Sequence, residues 1–389
     1  MNNLLLMLAI AALATFPIGV GADIPPAYTA IIEQSGTVVC SELPSVSCEL
    51  SAVVWVRTGA DGNGYLVFGN DKPPKSGKES SVFSMPYSGS VFQGSGTRSF
   101  YSFLPFSQAS KFEAMSVAPD GHYVIAATAF DRYHEADSAL DKFNMLISWP
   151  TADPQKAKIV SSSQRDGIES SRAIRGLLGK AIRKKFGEQA DYFKLEGIAL
   201  LPDNRIIFGI REIGLTYTAF DYHVTLIEGK YAIRNGEFIL DEKAELEVIR
   251  DFSDAASIVG RKVGISSIEY DATKKQLYVL TTFENDEEKS VGAYLWVLPD
   301  NNGTLGSSLQ LVRTSDGLPF ELPHKAEGLT LLGDGRLFIV HDDDRNMTNV
   351  RFGGKNGGQL RARRLNEAPF DILKVCSAQN SLTCPVTID

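Results

Sequence analysis

A single pattern of turns and apolar strands occurs five times along the chain. In each copy a small-residue turn leads into an apolar strand, a Gly/Asp/Asn turn, a second apolar strand and an acidic end. The copies begin at Glu49, Glu113, Glu196, Ser266 and Glu327, and those at Glu196 and Glu327 are the clearest. A repeat of roughly 60–80 residues built from strands and turns is typical of a β-propeller, with one copy per blade. The sequence therefore predicts an all-β propeller of five blades, with six as the alternative count.

Composition and motif content narrow the classes of function. The chain has 389 residues and a formal net charge of −8. An excess of negative charge gives no support for nucleic-acid binding and favours a cationic ligand or a metal. The sequence contains no Gly-x-Ser-x-Gly elbow, no phosphate-binding loop, no Gly-x-Gly-x-x-Gly fingerprint and no His-Glu-x-x-His helix. These absences leave α/β-hydrolase, nucleotide-binding and zinc-protease chemistry without support.

The first 22 residues have the features of a secretory signal. Leu4 to Ala14 is an apolar run too short to span a bilayer, and Val20-Gly21-Ala22 ends in small residues. Cleavage near Ala22 would leave residues 23–389 as one propeller domain. Because no Lys or Arg precedes the apolar run, an uncleaved anchor is the alternative. We expect the protein to be secreted or periplasmic.

Four cysteines form two pairs with the same spacing. Cys40 and Cys48 are one pair, and Cys376 and Cys384 are the other. Four cysteines allow three connectivities, and the sequence does not choose among them. We favour two local disulfides over a crossed arrangement that would join the two ends of the chain. Either arrangement is typical of an exported protein.

Two segments lie outside the five repeats. Tyr28–Glu33 is a strand candidate with no earlier strands to join, and we expect it to complete the last blade. Such a closure would remove exposed sheet edges. Residues 170–187 place apolar side chains at helical spacing and end at Gly187, which predicts a helical insertion. Its other face is basic, so contact with an anionic membrane is the alternative to the favoured packing on its own domain.

Acidic residues open and close the strands of several repeats. In a propeller the first strand of each blade lines the channel and the second runs back, so openers and closers reach the same face. Several carboxylates that converge need a cation, a shared proton or a paired base. Oxygen ligands in a flexible ring suit Ca²⁺, whereas pairing with backbone N–H groups or arginines would make the ring structural. The candidate metal ligands are Glu49, Glu113, Glu196, Glu327 and Asp342.

Three further residues at strand closers are candidates for catalysis. Arg211 and Glu212 end the second strand of the third repeat, and His341 ends that of the fifth. The pKa of histidine suits proton transfer. A lone histidine at this position is nevertheless more often structural.

The phrases around Glu196 and Glu327 carry a family resemblance. The residues concerned are Leu195-Glu196-Gly197-Ile198-Ala199 with Gly209-Ile210-Arg211-Glu212, and Lys325-Ala326-Glu327-Gly328-Leu329 with Arg336-Leu337-Phe338-Ile339-Val340-His341-Asp342-Asp343-Asp344. They resemble the exported bacterial β-propellers called esterase-like or phytase-like, and the related SdiA-regulated and lactonase-type propellers. The resemblance implies calcium in or near the channel and hydrolysis of phosphoesters or lactones. It places Glu196 and Glu327 at the channel mouth, with Glu212 and Asp342 as partners. Ser266 and Ala114 depart from the pattern.

Two functions follow as expectations. The first is a calcium-dependent hydrolase of phosphoesters or esters at the channel rim, with a rim carboxylate or His341 as general base. The second is a non-catalytic periplasmic propeller that binds a small molecule or a protein, because a propeller fold does not decide function. We expect a monomer whose ligand is a periplasmic protein or a small molecule, with a phosphorylated molecule as one option.

Overall fold

Five antiparallel sheets of four or more strands make up the body of the protein. The computed structural model describes residues 27–59, 62–72, 79–89, 91–241, 245–285, 290–344, 348–352 and 359–378. The predicted signal sequence, residues 1–22, lies outside the described residues. Each sheet corresponds to one of the five sequence repeats, and we number the blades in that order.

In blades one to four the strands follow one another along the chain from the inner strand outwards, whereas the outer strand of blade five comes from the beginning of the chain. Blade one contains Leu50–Arg57, Asn63–Asn70, Val82–Ser88 and Ser99–Phe100. Blade two contains Phe112–Val117, Tyr123–Thr128, Leu146–Pro150 and Lys158–Ile159. Blade three contains Tyr192–Leu201, Arg205–Thr216, Ala219–Arg234, Glu237–Leu240 and Glu247–Asp251. Blade four contains Gly264–Asp271, Gln276–Asn285, Ser290–Asn301, Thr304–Leu305, Gln310–Leu311 and Glu321–Leu322. Blade five contains Ala326–Leu331, Leu337–His341, Glu367–Ser377 and Tyr28–Val39.

Short hairpins and helical segments lie between the sheet strands, both within and between blades. Two hairpins are formed by Ser163–Arg165 with Ile168–Ser170 and by Asn349–Phe352 with Gln359–Ala362. The helical segments are the 3-10 turns Ser138–Phe143 and Pro154–Lys156 and the α-helices Arg172–Phe186 and Ala255–Val259. Within the described residues, none of the helices has the length and apolar character needed to cross a membrane.

The five inner strands close into a ring. Each packs against the inner strand of the next blade, and the fifth packs against the first. Side chains add hydrogen bonds between neighbouring inner strands: Ser116 accepts from the Leu200 amide at 3.0 Å and Thr330 from the Trp55 amide at 3.0 Å. The predicted five-bladed propeller is confirmed, because the described strands form five blades and leave no gap for a sixth.

The last blade is completed by the beginning of the chain. Tyr28–Val39 pairs antiparallel with Glu367–Ser377, so this strand continues six residues beyond the predicted end at Glu33. Directly after it, the Cys40–Cys48 disulfide spans 5.6 Å between Cα atoms and leads the chain into blade one. This is one of the two local disulfides that the spacing favours, and it is typical of an oxidising compartment. The second would involve Cys384, which lies outside the described residues.

The predicted helical insertion is confirmed as the helix Arg172–Phe186, which ends at Gly187. Ile174, Leu178 and Ile182 are buried in a core cluster shared with blades two and three. On the outer face, the Lys180 ammonium lies 2.9 Å from the Glu245 carboxylate. The apolar face of the helix is thus occupied by its own domain, as favoured from the sequence.

The glycine that follows the glutamate in the repeat phrase is required by close packing of inner strands. A Cβ atom at Gly328 would lie 2.7 Å from Val340 Cγ2 and 3.1 Å from the Val53 amide nitrogen in blade one. A Cβ at Gly197 would lie 3.0 Å from Ile268 of blade four. In the Glu-Gly pair, the glutamate supplies a polar side chain and the glycine allows the inner strands of two blades to pack closely.

We expect Gly328→Ala to lower the free energy of unfolding by about 1–3 kcal/mol, since extra volume in a packed interface forces backbone shifts. Urea unfolding followed by circular dichroism would measure the change. Gly176→Ala is the matched control, because a Cβ there meets no atom within 4 Å. In Gly176→Ala the free energy of unfolding should be unchanged or higher by up to about 1 kcal/mol, because alanine is favoured over glycine within a helix. Equal effects of the two substitutions would contradict the packing argument.

Candidate functional site: an ion-pair belt in the channel

A β-bulge aims one side chain per blade into the channel. In every blade the pairing between the inner and second strands skips one residue near the start of the inner strand. A bulge leaves its extra residue out of the ladder and redirects the side chain. The bulged residues are Ser51, Glu113, Glu196, Ser266 and Glu327. All five are buried.

The register of blade one differs from the one inferred from the sequence. Leu50 pairs with Asn70 and Ala52 with Gly69, which places Ser51 at the bulge. Glu49 therefore lies two residues before the bulge and is not equivalent to Glu196. The sequence-based match of Glu49 with Glu196 was wrong. A shift of two residues preserves the alternation of a strand and leaves its apolar pattern unchanged, so the pattern could not reveal the error.

Lysines two residues before three of the bulges neutralise the glutamates. Lys194 Nζ lies 3.2 Å from Glu113 Oε1 and also contacts Glu196. Lys111 Nζ lies 3.5 Å from Glu113 and 2.6 Å from Asp131. The contact between Lys194 and Glu113 crosses the boundary between blades two and three, whereas Lys111 pairs with carboxylates of its own blade. Lys194 thus compensates carboxylates from its own blade and from a neighbour.

Lys325 has the same place in blade five. Its ammonium lies 3.1 Å from Glu327, 3.1 Å from Glu284 and 3.5 Å from Asp344. Burial alone would lower the pKa of Lys325, but Glu327 and Glu284 outweigh burial and hold the pKa well above its usual range. Glu113 and Glu196 have the same effect on the pKa of Lys194. Both lysines therefore remain charged inside the channel.

Arg211 replaces the missing lysine of blade four. The position two residues before that bulge is Gly264, where a Cβ atom would lie 2.9 Å from Arg211 Cγ. The Arg211 guanidinium lies 2.9 Å from Glu284 and 3.9 Å from Glu196, and it covers the ring of Tyr222 at 4.9 Å. The small residue in blade four makes room for a cation from blade three.

Together these groups form a chain of alternating charges, which we call the ion-pair belt. Its members in order are Asp131, Lys111, Glu113, Lys194, Glu196, Arg211, Glu284, Lys325 and Glu327. The order passes through blades two, three, four and five. The belt corresponds to the structural alternative that the sequence left open, with lysine as the main partner.

Three carboxylates of the belt lie very close together. One oxygen each from Glu113, Glu196 and Glu327 falls within a group whose members are all within 4.8 Å of one another. Burial, followed by the charge of Glu196, raises the pKa of Glu113 well above its usual range. Burial also raises the pKa of Glu196 to about 7, against the opposing effect of Lys194.

Several buried oxygen atoms in and beside this group lack a hydrogen bond within the described residues. Within the described residues, Glu113 Oε2, both oxygens of Glu196, Glu327 Oε1 and Ser266 Oγ make no hydrogen bond of good geometry. Lys194 and Lys325 approach Glu196 Oε1 and Glu327 Oε1 as charges without an aligned donor. Polar atoms left in this way favour a water molecule or a cation between the three carboxylates.

A second group of carboxylates opens to solvent beside the belt. Oxygens of Glu49, Asp342 and Asp344 lie within 4.8 Å of one another, and Asp344 is exposed. The half-exposed side chain of Lys72 contacts Glu49. Burial is the main cause that raises the pKa of Asp342 well above its usual range, and Lys325 opposes it. We call these three carboxylates the rim group.

The predicted metal ligands are therefore divided between two places. Glu113, Glu196 and Glu327 belong to the buried belt, whereas Glu49 and Asp342 belong to the rim group. Asp344, which was not among the predicted ligands, completes the rim group.

The predicted catalytic residues have structural partners. His341 is fully buried, and its Nε2 lies 2.9 Å from Asp371, which in turn accepts a hydrogen bond from Ser35 at 2.5 Å. In this order the aspartate stands between the serine and the histidine, so the histidine cannot activate the hydroxyl as in a Ser-His-Asp triad. Glu212 accepts a hydrogen bond of 2.5 Å from Tyr192 and lies 3.7 Å from Arg211.

Sequence reasoning missed the repeated spacing that builds the belt. Lys111-Phe112-Glu113, Lys194-Leu195-Glu196 and Lys325-Ala326-Glu327 share a Lys-x-Glu pattern. Residues two apart on a strand point to the same face, so this spacing could have predicted lysine and glutamate together in the channel. The role of Gly264 could not have been read in this way, because it depends on a side chain from another blade.

Comparisons with known proteins show no family for this chain. No protein-family model matches the sequence, and no curated protein matches it at a significant level. An α-L-arabinofuranosidase from Podospora anserina, solved with cellotriose, has a TM-score of 0.44 and 8% identity over 90% of this chain and 98% of its own. A GH62 hydrolase solved with xylotriose has a TM-score of 0.45 and 9% identity over 90% of this chain and 97% of its own.

A GH43_12 protein retrieved from a capybara gut metagenome is also similar. Its TM-score is 0.40 and its identity 10%, over 90% of this chain and 54% of that protein. Similarity at this level assigns no activity to the chain.

A further buried carboxyl lies in the channel wall apart from the belt. Glu269, in the inner strand of blade four, accepts a hydrogen bond of 3.1 Å from the Leu331 amide of blade five. Burial raises the pKa of Glu269 to about 8, with a smaller contribution from Asp271. Unlike the glutamates of the belt, Glu269 has no ion pair with a cation among the described residues.

We expect Glu269→Gln to flatten the dependence of stability on pH. Between the usual glutamate value of 4.5 and about 8, the folded protein holds a proton that the unfolded chain releases. The free energy of unfolding therefore falls as pH rises through this window, and the glutamine variant lacks that contribution. Urea unfolding at several pH values within the window measures the slope. Glu188→Gln, at an exposed position, is the control, and equal slopes for Glu269→Gln and the wild type would contradict the prediction.

Proposed function

We propose that the chain is an exported, calcium-dependent hydrolase of phosphoester or ester bonds, with its metal held by the rim group. The observation that supports this proposal is the approach of Glu49, Asp342 and Asp344 oxygens to within 4.8 Å of one another, with Asp344 exposed beside the buried Glu49 and Asp342. Oxygen atoms from carboxylates are the ligands that Ca²⁺ prefers, usually about 6–8 of them. Water and nearby oxygens would complete such a shell.

The rim group fits a divalent cation better than the buried belt does. In the belt, Lys194 contacts both Glu113 and Glu196, so a metal would have to displace a buried ammonium. In the rim group, the cation that touches Glu49 is Lys72, whose side chain is half-exposed and can turn into solvent. The energetic cost of exchanging the ammonium for a metal is therefore lower at the rim.

The residues around the rim group can support hydrolysis. A bound calcium ion would supply positive charge that polarises a phosphoryl or carbonyl oxygen. Lys72 and Lys325 can hold the anionic oxygens of a phosphoester through their ammonium groups. The pKa of Asp71 is raised by burial, which suits a carboxyl that takes up a proton from an attacking water. His341 has no such role in this proposal because Asp371 engages it inside blade five.

Ligand binding without catalysis is the second candidate function. It is favoured by the burial of Glu113, Glu196 and Glu327, which no substrate can reach without an opening of the channel. Under this alternative the belt is purely structural, and the rim binds a small molecule or another exported protein.

Calcium should raise the thermal unfolding midpoint of the protein relative to EDTA by a few degrees, since a ligand that binds only the folded state stabilises it. In a variant with Glu49→Gln and Asp342→Asn the calcium response should be lost. Asp203→Asn, in a blade-three turn outside the rim group, removes a surface carboxylate and should leave the response unchanged. Differential scanning calorimetry of the wild type, the double variant and Asp203→Asn, each with EDTA and with calcium, would measure the three unfolding midpoints. A full calcium response in the double variant would remove the rim group as the metal site.

Hydrolysis of 4-nitrophenyl phosphate and 4-nitrophenyl acetate then separates the two functions. Turnover that EDTA abolishes and calcium restores supports the hydrolase. Calcium binding without turnover of either ester would favour the binding function.

A further inference from the structure

A cleft of about 840 Å³ lies between blades two and three, beside the N-terminal half of the basic helix. We propose that this cleft binds an aryl phosphate, a small molecule with a phosphate dianion at one end and a flat apolar group at the other. The proposal goes beyond the hydrolase function, because neither calcium nor bond cleavage is required for it.

The charge of the cleft is opposite to that of the whole protein. Four arginines and two aspartates line it, which gives a formal charge of +2 in a protein of net charge −8. Two of the arginines already have acidic neighbours: Arg132 lies 3.7 Å from Asp131 and Arg183 lies 3.6 Å from Asp191. The other two are Arg172 and Arg175.

Arg175 is a buried guanidinium with no carboxylate at ion-pair distance among the described residues. The residue is only 9% exposed, it donates a hydrogen bond to the Phe130 carbonyl, and it lies 4.6 Å from the Phe193 ring. Within the described residues it forms no ion pair. A buried charge of this kind is costly unless an anion compensates it. The planar fork of arginine matches the oxygens of a phosphate.

Arg172 faces the same cleft one helical turn earlier. Its guanidinium donates a hydrogen bond of 3.1 Å to the Tyr133 hydroxyl, and its Nε has no hydrogen-bond partner within the described residues. The guanidinium groups of Arg172 and Arg175 lie 5.6 Å and 5.3 Å from the Tyr133 ring. Both arginines and the tyrosine thus face one part of the cleft.

The start of the helix adds to the positive potential there. The helix Arg172–Phe186 has no acidic residue in its first turn, and the Ser171 side chain makes no capping hydrogen bond. Instead, the Ser171 hydroxyl donates to the Val160 carbonyl at 2.7 Å. Positive side chains at the positive end of a helix dipole are unfavourable unless an anion lies nearby. The N-terminus of the helix and the two arginines would therefore all be stabilised by one negatively charged group bound in the cleft.

The opposite wall of the cleft is apolar and exposed. Leu215 and Tyr217, at the end of the second strand of blade three, are 57% and 62% exposed. The Tyr217 ring lies 6.4 Å from the Tyr192 ring, measured between centroids. Exposed aromatic and apolar side chains that line a cleft are suited to stacking with a flat ligand group. This wall is the reason for proposing a flat apolar group at the other end of the ligand.

Binding is tested with phenylphosphonate, whose phosphorus–carbon bond a phosphoesterase does not cleave. Isothermal titration calorimetry of the purified protein in EDTA should show binding, because the cleft needs no metal. Arg172→Gln should weaken binding by about tenfold or more, since a hydrogen bond between charged groups is lost. Lys180→Gln on the outer face of the same helix is the matched control and should bind like the wild type. Arg175→Lys is a second variant at the buried position and should also bind more weakly.

Further probes distinguish the contribution of the phosphate group from that of the flat apolar group. Tyr217→Ala should weaken phenylphosphonate binding and leave the binding of inorganic phosphate unchanged. Benzoate, a carboxylate of similar shape, should bind more weakly than phenylphosphonate. The proposal is overturned if phenylphosphonate does not bind at millimolar concentration, if Arg172→Gln and Lys180→Gln bind equally, or if benzoate binds more tightly. These outcomes do not depend on the rim group, so the proposed hydrolase function can fail while this proposal stands.

Discussion

The channel of this propeller depends on buried ion pairs between lysines and glutamates of neighbouring blades. Closing five blades into a ring brings the bulged residues together, and three of them are glutamates whose oxygens lie within 4.8 Å of one another. At such distances in a poorly solvated interior, like charges repel by several kcal/mol or more. Lys111, Lys194 and Lys325, each two residues before one of these glutamates, relieve this repulsion. The belt is thus a condition for the ring to close with ionised glutamates.

The belt also determines where function can be located. Its carboxylates are buried and paired with cations, whereas Asp344 of the rim group is exposed to solvent. The rim group lies where Asp342 and Asp344 follow the second strand of blade five. The arginine-lined cleft meets the belt from the side of blades two and three, because Asp131 borders the cleft and also pairs with Lys111. Both candidate sites therefore use a rigid channel wall as their support.

Much of the fold could be predicted from the sequence, because strand alternation and turn residues are local signals. The five repeats and the helix near residues 170–187 were recognised in this way. Glu196 and Glu327 were correctly expected to meet, since equivalent positions of a closed ring must do so. The local Cys40–Cys48 disulfide was favoured but could not be chosen from the spacing alone.

The features that could not be predicted depend on exact register or on contacts between blades. Glu49 was aligned with the bulged glutamates because a shift of two residues leaves an apolar pattern unchanged. His341 was expected at the rim, but its side chain faces Asp371 within its own blade. The cleft combines Tyr133, Arg172 and Leu215, which are distant in the sequence and come together only through the docking of the helix. No periodicity in the sequence predicts that these three residues line one cleft.

A double-mutant cycle on Lys194 and Glu196 tests the belt most directly. Lys194→Met should lower the free energy of unfolding at pH 8 by about 3–5 kcal/mol, because it leaves buried carboxylates without their cation. Adding Glu196→Gln should restore a large part of that loss, with a coupling energy above about 1 kcal/mol. The exposed pair of Lys180 and Glu245 is the reference and should show little or no coupling, because solvent screens it. Additive effects of Lys194→Met and Glu196→Gln would contradict the account, because they would show that the belt does not hold the channel together.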